Sequence, residues 1–222
     1  MSWVQFAGVF LAFFITHSIP VRPPVKAAIV RNIGARGFTI GYSILSLGML
    51  GAVIWAAGKA PYVMLWPQAP WQHVVTASGM FAVCILLGLT LGRPNPFSFG
   101  GARNSAFDPQ APEIIGWVRH PVLAGLLLWA ALHLLPNGDL AHVILFGVFA
   151  VFAWLGRNII DRRKQRIMGQ DQWATILQSA KSNRWNFGAL NWKTGTKRVI
   201  YAVITYWVLF KLHPYVIGVP IW

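Results

Sequence analysis

Charged residues are scarce in this chain, and acidic residues are the scarcest. Only 11% of the 222 residues are charged, and five acids stand against 19 lysines and arginines. A soluble domain carries about a quarter charged residues, so the composition argues against that class. The single cysteine, Cys84, lies in an apolar run, which excludes an intramolecular disulfide framework. Close Cys and His spacing, which structural zinc sites require, is also missing.

Hydrophobic residues make up 56% of the chain and gather in runs long enough to cross about 30 Å of hydrocarbon. Prolines and polar clusters separate these runs. The first run lacks a basic leader and a small-residue cleavage site, so we expect it to remain as a helix. We predict an all-α integral membrane protein of about six transmembrane helices, at approximately 3–19, 37–58, 71–91, 114–135, 138–156 and 197–217.

The basic residues give this bundle an orientation. Seventeen of the 19 fall in or beside the segments 20–36, 92–113 and 157–196, and the other two are Lys59 and Lys211. The positive-inside rule therefore places those segments in the cytoplasm and both termini on the opposite side. Because the cations lie between apolar runs and not along one helix face, we expect membrane lipids as partners and no nucleic acid.

Three regions are predicted: a five-helix core at 1–156, a cytoplasmic basic segment at 157–196 and a final transmembrane helix at 197–222. In the basic segment apolar residues alternate with charges, which predicts an amphipathic helix on the anionic inner leaflet or, alternatively, a soluble subdomain. In the turn between the predicted fourth and fifth helices, Asn137 or Asp139 can cap the fifth helix. These two helices should therefore form an antiparallel hairpin.

Histidines are the main candidates for chemistry, because ionisable residues inside a crossing are costly. Neutral imidazole binds haem iron, and histidines from facing helices can fill both axial positions. His17, His120 and His133 are candidates for this role, with hydrogen bonding between helices as the equal alternative. Helix rise places His17 and His120 at matching depth and His133 near the outer face. A structural role is favoured for His73, His142 and His213.

Three arginines form a second candidate site. Arg119, Arg162 and Arg163 lie at the predicted cytoplasmic boundary, where bidentate contacts could hold a carboxylate, a phosphate or a lipid headgroup. The alternative is that their side chains only extend from the membrane toward water.

Several separated motifs occur in order along the chain up to about Gly156. They include His17-Ser18-Ile19-Pro20, Arg93-Pro94-Asn95-Pro96, Arg119-His120-Pro121, His133-Leu134 and Asn137-Gly138-Asp139-Leu140. Together they resemble the NnrU family of bacterial membrane proteins. The resemblance implies an inner-membrane protein associated with nitrite and nitric oxide metabolism in denitrification.

The resemblance extends to 15-cis-zeta-carotene isomerase, an integral membrane haem protein, and so implies haem b as cofactor. Its haem-ligating motifs match His17 and His133, whereas the depth count sets these two on opposite sides of the bilayer. Either a kink at Pro121 brings His133 toward the middle of the membrane, or His120 takes the second position.

A wider similarity, through Arg119-His120-Pro121 and Gly125, is to isoprenylcysteine carboxyl methyltransferases. Those enzymes carry two glutamates where this chain has Asp161-Arg162, which argues against a methyl-donor site. The sequence favours a haem-binding protein of nitrogen-oxide metabolism, whose partners would be nitrogen-oxide reductase components or a membrane-soluble substrate. A haem-dependent isomerase and a non-catalytic assembly factor are the alternatives, and no catalytic residue is predicted.

Overall fold

The protein is all-helical in the part of the chain that the structure describes. A computed structural model describes residues 1–186, 188 and 191–219, and these contain no strand beyond an isolated bridge between Met64 and Asp139. The prediction of an all-α fold is confirmed for these residues. The helices are α1 (Trp3–Ser18), α2 (Pro23–Lys59), α3 (Pro70–Thr90), α4 (Pro121–Leu134), α5 (Leu140–Met168), α6 (Gln170–Ser182) and α7 (Trp192–Ile217).

Four of these helices, α2, α3, α5 and α7, are long and apolar enough to cross a membrane by length and composition. The other apolar helices, α1 and α4, have 16 and 14 residues. At 1.5 Å per residue they extend only about 24 and about 21 Å, less than the hydrocarbon thickness of about 30 Å. The membrane class is thus supported, while the number of six crossings stays a prediction.

Helix α2 begins much earlier than the hydropathy pattern predicts. The segment 20–36 is expected to be a loop, yet the helix starts at Pro23, where a residue without an N–H costs nothing. The break lies instead at Gly34, whose φ of 75° and ψ of 164° interrupt the helix. The prediction of a loop over 20–36 was therefore wrong for most of that segment.

Helix α4 begins later than predicted. The residues Glu113–Gly116 form a short 3-10 turn, and His120 has φ −117° and ψ 69°, outside the helical region. A residue before proline is disfavoured in the helical conformation, so Pro121 sets the start of α4. The expected start near residue 114 was wrong, and His120 lies in the loop before the helix.

The basic segment 157–196 is not one helix. Helix α5 runs on to Met168, Gly169 breaks it with φ 85°, and α6 follows directly. On α6, Trp173, Ile176 and Leu177 pack against a buried cluster of Phe97, Ile115 and Ala180. Protein therefore covers much of the apolar face of α6, and a position on the lipid surface stays a prediction. In the final region 197–222, the last three residues lie outside the described residues.

The chain divides into two compact units. The first unit comprises residues 1–67 and 138–145, and in it α1 packs along α2. In the segment that follows α2, the backbone amides of Leu65 and Trp66 donate to the carbonyl of Gly138 at 2.7 and 3.1 Å. Asp139 Oδ1 accepts a hydrogen bond from the His142 amide at 3.2 Å, so the predicted cap is present.

In the second unit, residues 68–137 and 146 onward, α3 packs against α4 and α7. Helices α4 and α5 pack antiparallel in this unit, as predicted, because Trp129 lies beside Phe146 and Phe149 while Leu123 lies beside Gly156. Helices α3 and α7 approach each other closely at Gly88. A Cβ added there would lie 2.6 Å from the Cβ of Ala202 and 3.2 Å from the carbonyl oxygen of Arg198.

We predict that Gly88→Ala destabilises the second unit by about 1–3 kcal/mol, the usual cost of overpacking. The Ala202 methyl and the α7 backbone cannot move aside as a flexible side chain would. The matched control is Gly147→Ala in α5, where a Cβ meets nothing within 4 Å. Unfolding midpoints of both variants in mild detergent check this, and equal midpoints would contradict the close approach.

Candidate functional site

The first candidate site is a polar network in the second unit, built from Ser98, Arg119, His120 and Asp161. Ser98 follows α3 in the long loop, Arg119 and His120 stand before Pro121, and Asp161 lies on α5. Ser98 and His120 are buried, with 2% and 7% of their surface exposed. Three chain segments that are distant in sequence thus meet at one imidazole.

Hydrogen bonds join the four side chains of this network. The guanidinium of Arg119 donates to both carboxylate oxygens of Asp161, from Nε at 3.1 Å and from Nη2 at 2.6 Å. His120 Nε2 lies 3.0 Å from Asp161 Oδ1, and Nδ1 lies 3.0 Å from Ser98 Oγ. Burial lowers the pKa of His120, so the imidazole is neutral near pH 7. The Nε2–H tautomer donates to Asp161 and accepts from the Ser98 hydroxyl at Nδ1. The Nδ1–H tautomer donates to Ser98 and accepts from Arg119 Nε at Nε2, over 3.2 Å.

The loop around the network is held by asparagines. Asn95 is buried, donates from Nδ2 to the Arg119 carbonyl at 3.0 Å, and accepts from the Phe97 amide at 3.1 Å. The backbone N–H of Asn95 donates to Asn104 Oδ1 at 2.9 Å. Trp173 of α6 covers the Arg119 guanidinium, 5.7 Å from the ring centroid. The network therefore fastens the loop, the start of α4 and α5 to one another.

The three predicted anion-binding arginines have different surroundings. Arg119 is already paired with Asp161, so an external carboxylate would have to displace that residue. Arg162 lines an open cavity of about 650 Å³ with Gln165, Arg166 and Gln170. Arg163 is exposed on α5. The cavity gives Arg162 room for an anion, whereas Arg119 has a structural partner.

His133 forms the second candidate site, in the last turn of α4. Its Nδ1 lies 2.8 Å from the Trp129 carbonyl and donates to it, which leaves Nε2 as the acceptor. The imidazole centroid lies 5.3 Å from the rings of both Trp129 and Phe146. In the described part of the chain, Nε2 has no hydrogen-bond partner. Histidines that bind metals are oriented by the same kind of N–H to carbonyl bond.

His17 lies in the first unit, near the end of α1. Tyr42 of α2 donates its hydroxyl to the His17 carbonyl at 2.7 Å, and the same oxygen lies 3.4 Å from Nδ1. Phe13 stacks on the imidazole with ring centroids 5.4 Å apart and planes 10° apart. Helix α2 and one turn of α1 therefore hold the ring.

Two histidines favoured for structural roles have partners of that kind. His142 Nδ1 lies 2.7 Å from Asp139 Oδ2, and His213 Nδ1 bonds the Val219 carbonyl at 2.9 Å. Sequence reasoning missed Ser98 and Asp161 as partners of His120. The one signal for Asp161 was scarcity, because it is one of only five acids in the chain.

The family model described as NnrU protein matches residues 5–221 of the chain. No curated protein matches it, and no solved structure does.

We predict that Asp161→Asn destabilises the second unit by about 2 kcal/mol. Removing one partner of a buried ion pair costs about 3–5 kcal/mol, and Arg119 keeps 26% of its side chain exposed, which reduces the cost. Asp171→Asn, on exposed α6 surface, is the matched control and should change little. Denaturation followed by Trp fluorescence checks both, and an unchanged Asp161→Asn variant would remove the network from any structural role.

The His120 network also predicts a pH dependence. Burial and the charges of Arg119 and Arg157 hold the pKa of His120 below its usual 6.5, although Asp161 opposes them. The unfolded chain therefore takes up this proton first as the pH falls, so the contribution to stability is present above pH 6.5 and lost below it. The unfolding midpoint of the natural chain should be lower at pH 5.5 than at pH 7.5, and this difference should be smaller in His120→Gln. In His73→Gln the fall should be that of the natural chain.

Proposed function

This chain belongs to the NnrU family, and we propose that it is a multi-pass protein of the bacterial inner membrane that binds haem b through His133. Four apolar helices and two shorter ones support the multi-pass arrangement. The basic residues between the apolar runs support six crossings with cytoplasmic loops and both termini in the periplasm.

The observation that carries the haem proposal is the state of His133. Its Nδ1–H is committed to the Trp129 carbonyl, so the ring is held with Nε2 as the free lone pair. The rings of Trp129 and Phe146 flank the imidazole, with ring centroids 5.3 Å from it on each side. A neutral, oriented imidazole with an open nitrogen is the donor that haem iron takes in an axial position. Haem would supply a redox-active iron that also binds small gases.

The second axial ligand is proposed from the resemblance alone, and it is His17. The contacts with Tyr42 and Phe13 orient its ring within the first unit. His120 ranks below it, because iron at either ring nitrogen would displace Ser98 or Asp161. Iron binding by His120 would therefore break the network that holds the start of α4.

The biological role is proposed to be nitrite or nitric oxide metabolism, with nitrogen-oxide reductase components or a membrane-soluble substrate as partner. This part rests on the resemblance to the family. A haem-dependent polyene isomerase would use the same His133 and haem, whereas a non-catalytic assembly factor would need neither. Haem content therefore separates the first two roles from the third.

We predict that the full chain, purified in mild detergent from haem-replete cells, shows a Soret band in oxidised and reduced spectra. His133→Ala should lower haem affinity at least about tenfold, because even the partners of a metal ligand are worth about 10–100-fold. His17→Ala tests the second ligand in the same way. Pyridine haemochrome content per chain is the measurement.

The matched control is His73→Ala, which removes a histidine at the start of α3 and should retain the haem. Gel filtration of each variant separates loss of haem from loss of fold. A natural chain without a Soret band, or a folded His133→Ala variant with full haem content, would overturn the proposal.

A further inference from the structure

A groove runs along the contact of α3 and α7, in the second unit. The helices touch at Gly88 and Ala202, and beside that contact lies an open cavity of about 520 Å³. Side chains of low polarity line most of its length, from Leu87 and Cys84 on α3 to Tyr201 and Leu209 on α7. The groove is thus an apolar channel on the side of two membrane-spanning helices.

One end of the groove is cationic. Thr194, Lys197 and Arg198 line it there, on the first turns of α7. Arg198 Nη1 donates to the carbonyls of Gly88 and Leu91 at 3.0 and 2.7 Å, so its charge is fixed beside the C-terminus of α3. Lys197 is exposed.

A further cation lies close to this end. Arg198 bonds the carbonyl of Leu91, two residues before Arg93, which places Arg93 near the same end of the groove. Burial and the positive charge of Arg198 lower the pKa of Arg93. Glu113 pairs with Arg93 and offsets one charge. Arg93, Lys197 and Arg198 against one glutamate leave a net positive charge at the mouth of the groove.

The length of the groove fits an amphiphile. From Thr194 to Leu209 the axis of α7 rises about 22 Å at 1.5 Å per residue, more than the about 15 Å that is half of a hydrocarbon core of about 30 Å. We infer that the groove between α3 and α7 binds a phospholipid with an anionic headgroup. The phosphate contacts Lys197 and Thr194, and an acyl chain lies along Cys84, Tyr201 and Thr205.

The net positive charge at the mouth of the groove favours anionic lipids over zwitterionic ones. A zwitterionic headgroup brings its own cation to the mouth, where Lys197 and Arg198 repel it. An anionic headgroup meets a net positive charge, and its phosphate accepts hydrogen bonds from Lys and Thr side chains. In the proposed orientation this end faces the cytoplasm, where anionic lipids give the leaflet its negative surface.

The test is native mass spectrometry of the full chain in mild detergent, titrated with phosphatidylglycerol or phosphatidylcholine of equal chain length. We expect one phosphatidylglycerol to be retained in preference to phosphatidylcholine. Lys197→Gln should weaken that retention about fivefold, the effect of one lysine at an anionic membrane surface. Lys193→Gln is the matched control, because it removes the same charge from the same end of α7 outside the groove.

The proposed position of the acyl chain is tested by filling the groove with a larger side chain. Thr205→Trp places a large ring where the chain would lie and should abolish the selective retention, whereas Ile204→Trp, on exposed surface beside it, should not. Both positions are exposed enough to accept the larger side chain without disturbing the fold. Equal retention of the two lipids, or equal effects of the lysine variants or of the tryptophan variants, would overturn the proposal.

Discussion

The ion pair of Arg119 and Asp161 is the interaction on which the architecture of the second unit depends. A carboxylate near hydrocarbon is tolerated only when it is paired and hydrogen-bonded, and here two guanidinium N–H groups and one imidazole satisfy it. The pair fixes α5 against the residues before Pro121. The start of α4 at Pro121 is fixed with it, and so is the position of His133, which lies in the last turn of the same helix.

Hydropathy predicted the helices wherever lipid contact and helix formation coincide. The predicted bounds agree with the structure for α3 and for the hydrophobic half of α5. They disagree where a helix extends into polar sequence or where protein covers an apolar run. Helix α2 includes the polar turns after Pro23, since a helix satisfies its own backbone in water as well as in lipid. Ile115 looked like part of a crossing, yet it packs with Phe97 and Ala180 in a small protein core. An apolar run alone does not say whether lipid or protein will cover it.

The candidate sites divide in the same way. The cost of an ionisable side chain in a crossing was enough to select His17, His120 and His133, and the shortage of acids made each carboxylate conspicuous. Which histidine meets which acid depends on contacts between residues 41 positions apart, as in the pair of His120 and Asp161. No local pattern encodes that pairing. Arg119 was selected as a ligand for external anions, whereas the fold supplies its carboxylate internally.

His120 and His133 differ in how many of their ring nitrogens the fold satisfies, and this difference is why we assign His120 a structural role and propose His133 as the haem ligand. A buried acceptor left without a partner costs about 1–3 kcal/mol, and His120 is buried whereas His133 is half-buried. His120 avoids that cost by bonding at both nitrogens. His133 forms a hydrogen bond at Nδ1 only among the residues that the structure describes. In the proposed haem complex the iron would complete the second nitrogen of His133, whereas Ser98 and Asp161 already complete both nitrogens of His120.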